Sequence, residues 1–126
     1  MTNEQLITCA YKAKNQAYAP YSKFRVGAAA LGEDGQVYCG CNIENSSFPA
    51  GICAERVAVS KGISEGCKKI LKIAIVSENE NFTFPCGICR QFLYEIMPDG
   101  IVILHDKKKG ILERHVSELL PDAFLL

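Results

Sequence analysis

The opening polar and apolar positions predict a helix. Thr2-Asn3-Glu4-Gln5 reads as a capping box, with Thr2 as N-cap and Gln5 reaching back. Leu6, Ala10, Ala13 and Ala17 then recur on one helical face, and Pro20 interrupts, so the helix is expected to stop near Tyr18. Residues 24–31 and 36–43 are strand-like, and the turn cluster Gly32-Glu33-Asp34-Gly35 joins them as a hairpin. After the loop Asn45-Ser46-Ser47-Phe48-Pro49, a second helix is expected over about residues 53–62, with Ala54, Val57 and Ala58 on its packed face. Residues 70–76 are short and nearly all apolar, the pattern of a buried central strand.

Residues 77–84 form a polar loop, and Pro85 is placed at the start of a third helix, where its missing N–H costs nothing. That helix carries Phe92, Leu93 and Ile96 and ends near Pro98-Asp99-Gly100. Residues 101–104 read as another buried strand, 107–110 as a turn and 111–116 as a fifth strand. Ser117 is expected to cap a last short helix over 118–120, before Pro121. Strands alternating with helices imply an α/β sheet covered on both faces, and the hairpin makes that sheet mixed. With no repeat, low-complexity tract or linker, residues 1–126 are expected to form a single domain.

Composition narrows the function. Lys plus Arg is 14 and Asp plus Glu is 14, so the chain lacks the basic excess of a nucleic-acid binder or of a partner for anionic membranes. No apolar run approaches the ~20 residues of a membrane helix. The start, Met-Thr-Asn-Glu-Gln, is not a signal peptide, so a cytoplasmic location is expected. A chain of this length buries about two-thirds of its unfolded surface and needs no disulfides. Its seven cysteines are odd in number and are expected to stay reduced, which points to metal binding or catalysis.

Three of them stand out by position. Cys53 opens one expected helix in Cys53-Ala54-Glu55-Arg56, and Cys86 and Cys89 open another in Pro85-Cys86-Gly87-Ile88-Cys89-Arg90-Gln91. Either pattern alone is weak, since shuffling this composition yields roughly 0.4 Cys-x-x-Cys pairs by chance. Their joint placement at helix starts is informative, because unpaired N–H groups and the positive dipole end stabilise thiolates. A guanidinium at Arg56 or Arg90 can offset the remaining negative charge. Three protein ligands leave a tetrahedral zinc one position short, which water fills in catalytic sites. Glu55 shares the helix start and is suited to carry that water's proton. Two other readings stay open: a Cys86–Cys89 redox pair, and a closed structural site that recruits Cys39, Cys41 or Cys67. Cys39 and Cys41 share one strand face and, like Cys9 and Cys67, suit packing as small hydrophobes.

In this order the motifs resemble the small, homotetrameric cytidine deaminases. The zinc-deaminase signature places His or Cys before x-Glu, followed by Pro-Cys-x-x-Cys, and this chain has the Cys form. The resemblance also takes in Ala19-Pro20-Tyr21-Ser22-Lys23-Phe24, Val26-Gly27-Ala28-Ala29, Gly40-Cys41-Asn42-Ile43-Glu44-Asn45 and the stretch from Glu118 to Phe124. It implies a three-layer α-β-α fold around a five-stranded mixed sheet, and one zinc per subunit held by Cys53, Cys86 and Cys89. Glu55 is then the proton shuttle, Asn42 and Glu44 take the ribose, and Phe24 lines the pyrimidine pocket. The backbone near Ala54 and Pro85 holds the base edge, Arg56 hydrogen-bonds the thiolates, and Phe124 reaches a neighbouring subunit's site. The implied reaction is hydrolytic deamination of cytidine and 2′-deoxycytidine in pyrimidine salvage, with no nucleic-acid or membrane partner.

Taken without the resemblance, Asn42 and Glu44 are ordinary loop polarity, Phe24 is hairpin packing and Phe124 is a terminal anchor. The chain departs from the family pattern at Phe48, where relatives commonly carry a tyrosine at the subunit boundary near the sugar, and at Pro49-Ala50-Gly51. The departures bear on sugar contacts rather than on the metal. A noncatalytic zinc module, a thiol–disulfide enzyme and a deaminase acting on blasticidin S are the competing functions.

Overall fold

Small residues along one strand let helices close on both sides of the sheet. The computed structural model describes residues 1–126. In chain order it has α1 (Asn3–Lys14), β1 (Val26–Gly32), β2 (Val37–Cys41), a 3-10 turn at Phe48–Ala50, α2 (Ala54–Ser64), β3 (Ile70–Ser77), α3 (Gly87–Ile96), β4 (Ile101–Asp106), β5 (Gly110–His115) and α4 (Val116–Leu119). The strands form one five-stranded sheet in the order β2-β1-β3-β4-β5. Only β3 and β4 are parallel, with α3 as the crossover between them. The other pairs are antiparallel, which gives the mixed sheet expected from the sequence.

Strand alternation sends residues to two cores. Ala28, Ala30, Ile73, Ile75, Val102 and Leu104 face α2 and α3, where they join Ala58, Val59 and Leu93. Ala29, Ala74, Val76 and Ile103 face α1 and pack on Leu6, Ile7 and Ala10. β3 and β4 are apolar on both sides because both sides are covered. Two glycines set how closely the layers approach. A Cβ on Gly27 would lie 2.0 Å from the Ala10 carbonyl oxygen of α1. One on Gly40 would lie 2.5 Å from the Ala58 nitrogen of α2.

Element ends show where long-range pairing overrides the local pattern. The Thr2 and Gln5 capping box forms with N···O distances of 2.9 and 3.1 Å. Yet α1 stops at Lys14 rather than near Tyr18. Tyr18 instead donates to the Asn42 carbonyl at 3.0 Å and accepts from the Glu44 N–H at 2.8 Å. α2 closes on a Schellman motif: Gly66, at φ 97°, donates to Ile63, and Cys67 donates to Gly62. Pro85 lies ahead of α3, and Cys86 is its N-cap. His115, not Ser117, caps α4, and Glu118 Oε1 accepts from the His115 N–H at 2.8 Å. No helix is long and apolar enough to cross a membrane.

Candidate metal and substrate site

Two helix starts meet beside the sheet. Cys53 is the N-cap of α2 and Cys86 the N-cap of α3, and neither side chain caps its own helix. Cys89 lies one turn into α3 and is buried. The three sulfurs lie within 4.8 Å of one another, with Cys53 Sγ and Cys86 Sγ 3.9 Å apart. A tetrahedral zinc with Zn–S bonds of ~2.3 Å sets its sulfurs about 3.8 Å apart. The trio therefore suits zinc in donor type and spacing. The structure leaves no fourth cysteine for a closed site. Cys67 is buried in the other core and donates to the Lys69 carbonyl at 3.3 Å. Cys39 packs toward α1, and strand alternation turns Cys41 to the same face.

The electrostatics favour a thiolate at this corner. The Cys53 thiol is pulled down to about 5, first by a hydrogen bond from Cys89 and then, against its burial, by Arg56 and Cys86. Cys89, which donates to Cys53 and is buried, holds its proton far more firmly than a free thiol. Arg56 Nη2 lies 3.7 Å from Cys53 Sγ. Burial opposes the Arg56 charge, but contacts with the Cys53 and Cys89 sulfurs outweigh it. Arg90 takes no part in this balance. Its Nε donates to the Pro85 carbonyl at 2.7 Å and its Nη1 to the Leu119 carbonyl at 3.0 Å.

Glu55 is the second residue of α2 and only 4% exposed. Burial, with the nearby Cys53 charge adding to it, pushes its carboxyl up to about 7. An acid in that range can take up and release a proton at neutral pH.

A cavity of about 450 Å³ opens beside the cysteines, and Cys53, Arg56, Asn42, Glu44, Phe48 and Ile88 share its wall. Cys53 is the one member of the sulfur trio on this wall; Cys86, Cys89, Glu55, Phe24, Ala54 and Phe124 are not among the residues that line it. Ala54 is fully buried where α2 meets β2, and Phe124 is 69% exposed with its carbonyl held by Gln91 Nε2 at 2.9 Å. Phe24 is tied to the cavity through Asn42, whose Nδ2 donates to the Phe24 carbonyl at 2.9 Å. Asn42 Oδ1 also accepts from the Val26 N–H at 2.8 Å. Glu44 accepts at Oε1 from the N–H groups of Tyr21 and Ser22, at 3.0 and 3.1 Å, and at Oε2 from the Ser22 hydroxyl. Ser22, Tyr21 and Arg90 received no firm role from the sequence. The available signal for Ser22 was its place two residues before Phe24, where a serine commonly caps a turn.

Comparison with known proteins places this geometry. The family model described as the cytidine and deoxycytidylate deaminase zinc-binding region matches residues 1–105. A cytidine deaminase of Sporosarcina psychrophila is 47% identical over 125 residues, covering 98% of this chain and 92% of that protein. One from Halalkalibacterium halodurans is 46% identical over 125 residues, covering 98% of this chain and 95% of that protein. The crystal structure of a cytidine deaminase from Burkholderia pseudomallei superposes with a TM-score of 0.93 at 41% identity, covering 98% of this chain and all of that one. A match of this extent, on a chain whose three clustered sulfurs suit zinc, settles the kinship: the protein belongs to the cytidine and deoxycytidylate deaminase family.

Proposed function

We propose that this protein is a zinc-dependent cytidine deaminase that converts cytidine and 2′-deoxycytidine, with water, to uridine and 2′-deoxyuridine plus ammonia. The observation that carries the reading is the buried Glu55 carboxyl beside the Cys53-Cys86-Cys89 trio, next to a cavity of nucleoside size. Cys53, Cys86 and Cys89 hold the metal. Zinc bound there supplies a Lewis acid that makes water a usable nucleophile near neutral pH.

The chain's own residues carry the protons. Glu55 takes a proton from the attacking water and delivers it to ring N3, while the water oxygen bonds to C4. Glu55 next moves the remaining hydroxyl proton to the amino group. The C4–N bond breaks, ammonia leaves with its electron pair, and the C4 carbonyl forms. Arg56 steadies the Cys53 thiolate. Asn42 and Glu44 take sugar hydroxyls, the backbone at Ala54 and Pro85 holds the base edge, and Phe24 borders the pyrimidine.

The protein works as a homotetramer in this reading. Phe48 and Ile88 are 79% and 67% exposed on the cavity wall, and Phe124 stands out from its own chain, as residues awaiting a neighbouring copy do. Phe48 keeps an aromatic ring at that boundary without a hydroxyl. All seven cysteines are free thiols, which suits a reducing cytoplasm. An ultraviolet assay on cytidine and 2′-deoxycytidine, with zinc quantified in the same sample, tests the proposal. Absorbance loss that tracks zinc content is expected. Zinc-loaded protein that leaves both nucleosides unchanged would overturn it.

A further inference from the structure

We propose that Ser22 is a positioning residue that couples the sugar-facing carboxylate to the base-facing side of the site. The inference rests on the nucleoside reading above. Both the N–H and the hydroxyl of Ser22 are committed to this link. Its N–H donates to Glu44 Oε1 at 3.1 Å, its hydroxyl donates to Glu44 Oε2, and its Oγ accepts from the Phe24 N–H at 3.0 Å. The Tyr21 N–H adds a second donor to Oε1 at 3.0 Å.

A carboxylate offers about four acceptor positions. Three on Glu44 are filled from segment 21–22, so Ser22 leaves one position on Oε2 for an incoming hydroxyl and fixes its direction. The Ser22 hydroxyl is also the largest influence holding the Glu44 carboxyl below its usual range, so the group meets its ligand ionised. The anchor is firm: Glu44 N–H donates to the Tyr18 carbonyl at 2.8 Å, and neighbouring Ile43 exchanges N–H···O bonds with Ile52.

Segment 21–24 needs such an anchor. Lys23 sits at φ 60°, a left-handed conformation uncommon outside glycine, between Ser22 and the Phe24 N–H that the Ser22 oxygen holds. Asn42 holds the far side of Phe24 through its carbonyl and the Val26 N–H. Loss of the Ser22 hydroxyl frees Glu44 Oε2 and leaves the Phe24 N–H without its acceptor in one step. The sulfur trio and Glu55 belong to the starts of α2 and α3, and none of the Ser22 hydrogen bonds reaches them. Binding is therefore the property Ser22 governs, and chemistry is spared.

The test uses the zinc-loaded wild-type protein, Ser22→Ala, Ser22→Thr, Glu44→Gln and the double variant Ser22→Ala/Glu44→Gln, with cytidine as substrate. Ser22 is exposed, so its replacement disturbs no core. Ser22→Ala is expected to raise KM by roughly 10-fold, the scale of one hydrogen bond to a charged group, with kcat within about two-fold and zinc content unchanged. Ser22→Thr keeps the hydroxyl and restores KM. In the Glu44→Gln background, Ser22→Ala adds little, because the two residues act as one unit. An active wild type with unchanged KM in Ser22→Ala overturns the inference, even if the melting temperature falls. So does a full, additive effect of Ser22→Ala on top of Glu44→Gln. A wild type inert toward cytidine overturns the nucleoside reading and this inference together, which separates the two failures.

Discussion

The backbone of Gly40 lies directly against Ala54: a Cβ on Gly40 would come within 2.7 Å of the Ala54 carbonyl oxygen. The edge strand β2 thus seats the first turn of α2, which carries Cys53 and Glu55 at the site. Gly40→Ala is expected to push that turn outward, at a cost of ~1–3 kcal/mol for overpacking, and to lower zinc retention. Gly27→Ala, on the opposite face against α1, should destabilise as much while folded protein keeps its zinc. Melting curves with zinc determined on the folded fraction separate the two.

Glu55→Gln keeps the shape of the buried side chain and removes its proton. Turnover is expected to fall by roughly 10²–10⁴-fold, the scale of a lost general acid/base, with zinc still bound. Steady-state rates beside atomic absorption measure both. Wild-type turnover in the variant would remove Glu55 from the proton path.

Cys89→Ala removes a buried member of the sulfur trio and is expected to lower bound zinc together with activity. Cys67→Ala, whose thiol contacts the Lys69 carbonyl instead, should leave zinc stoichiometry unchanged. Equal zinc content in the two variants would deny Cys89 its role as a ligand.

The hairpin turn carries a pH-dependent tie. Tyr38 donates to Asp34 Oδ2 at 2.5 Å, and that bond, with the Gln36 N–H, holds the Asp34 carboxyl below its usual range. A carboxyl lowered on folding stabilises above its unfolded value of about 3.9, and that stabilisation is lost as pH falls through the folded value. The same bond raises the Tyr38 phenol. A raised phenol stabilises fully below about 10, and the contribution is lost as pH climbs from there through the folded value. Tyr38→Phe should therefore lie furthest below wild type in melting temperature between these limits, with the gap narrowing outside them. A gap that is flat with pH would refute the tie.

What the sequence disclosed and what it hid divide along the range of the interactions. Cys53, Cys86 and Cys89 were legible because each stands at a helix start, and a helix start is a local pattern. The two buried strands were legible from their unbroken apolar runs. The end of α1 was not, because Tyr18 leaves the helix to pair with Asn42 and Glu44, more than twenty residues away. Arg56 and Arg90 were equivalent candidates to balance the thiolates, since each follows a cysteine on a helix. Only packing turns Arg56 to Cys53 and Arg90 to the Pro85 and Leu119 carbonyls. Ser22 lay hidden for the same reason, since its partner Glu44 comes from the other side of the hairpin.

The first helix and the two at the site begin differently. Thr2 secures α1 with its own oxygen, whereas Cys53 and Cys86 withhold their side chains from the turns they open. A zinc ion held between those two sulfurs would fasten both helices to each other at their starts. Metal supply would then govern the rigidity of the enzyme as well as its chemistry, and scarcity of zinc would be felt first as fraying at these two turns.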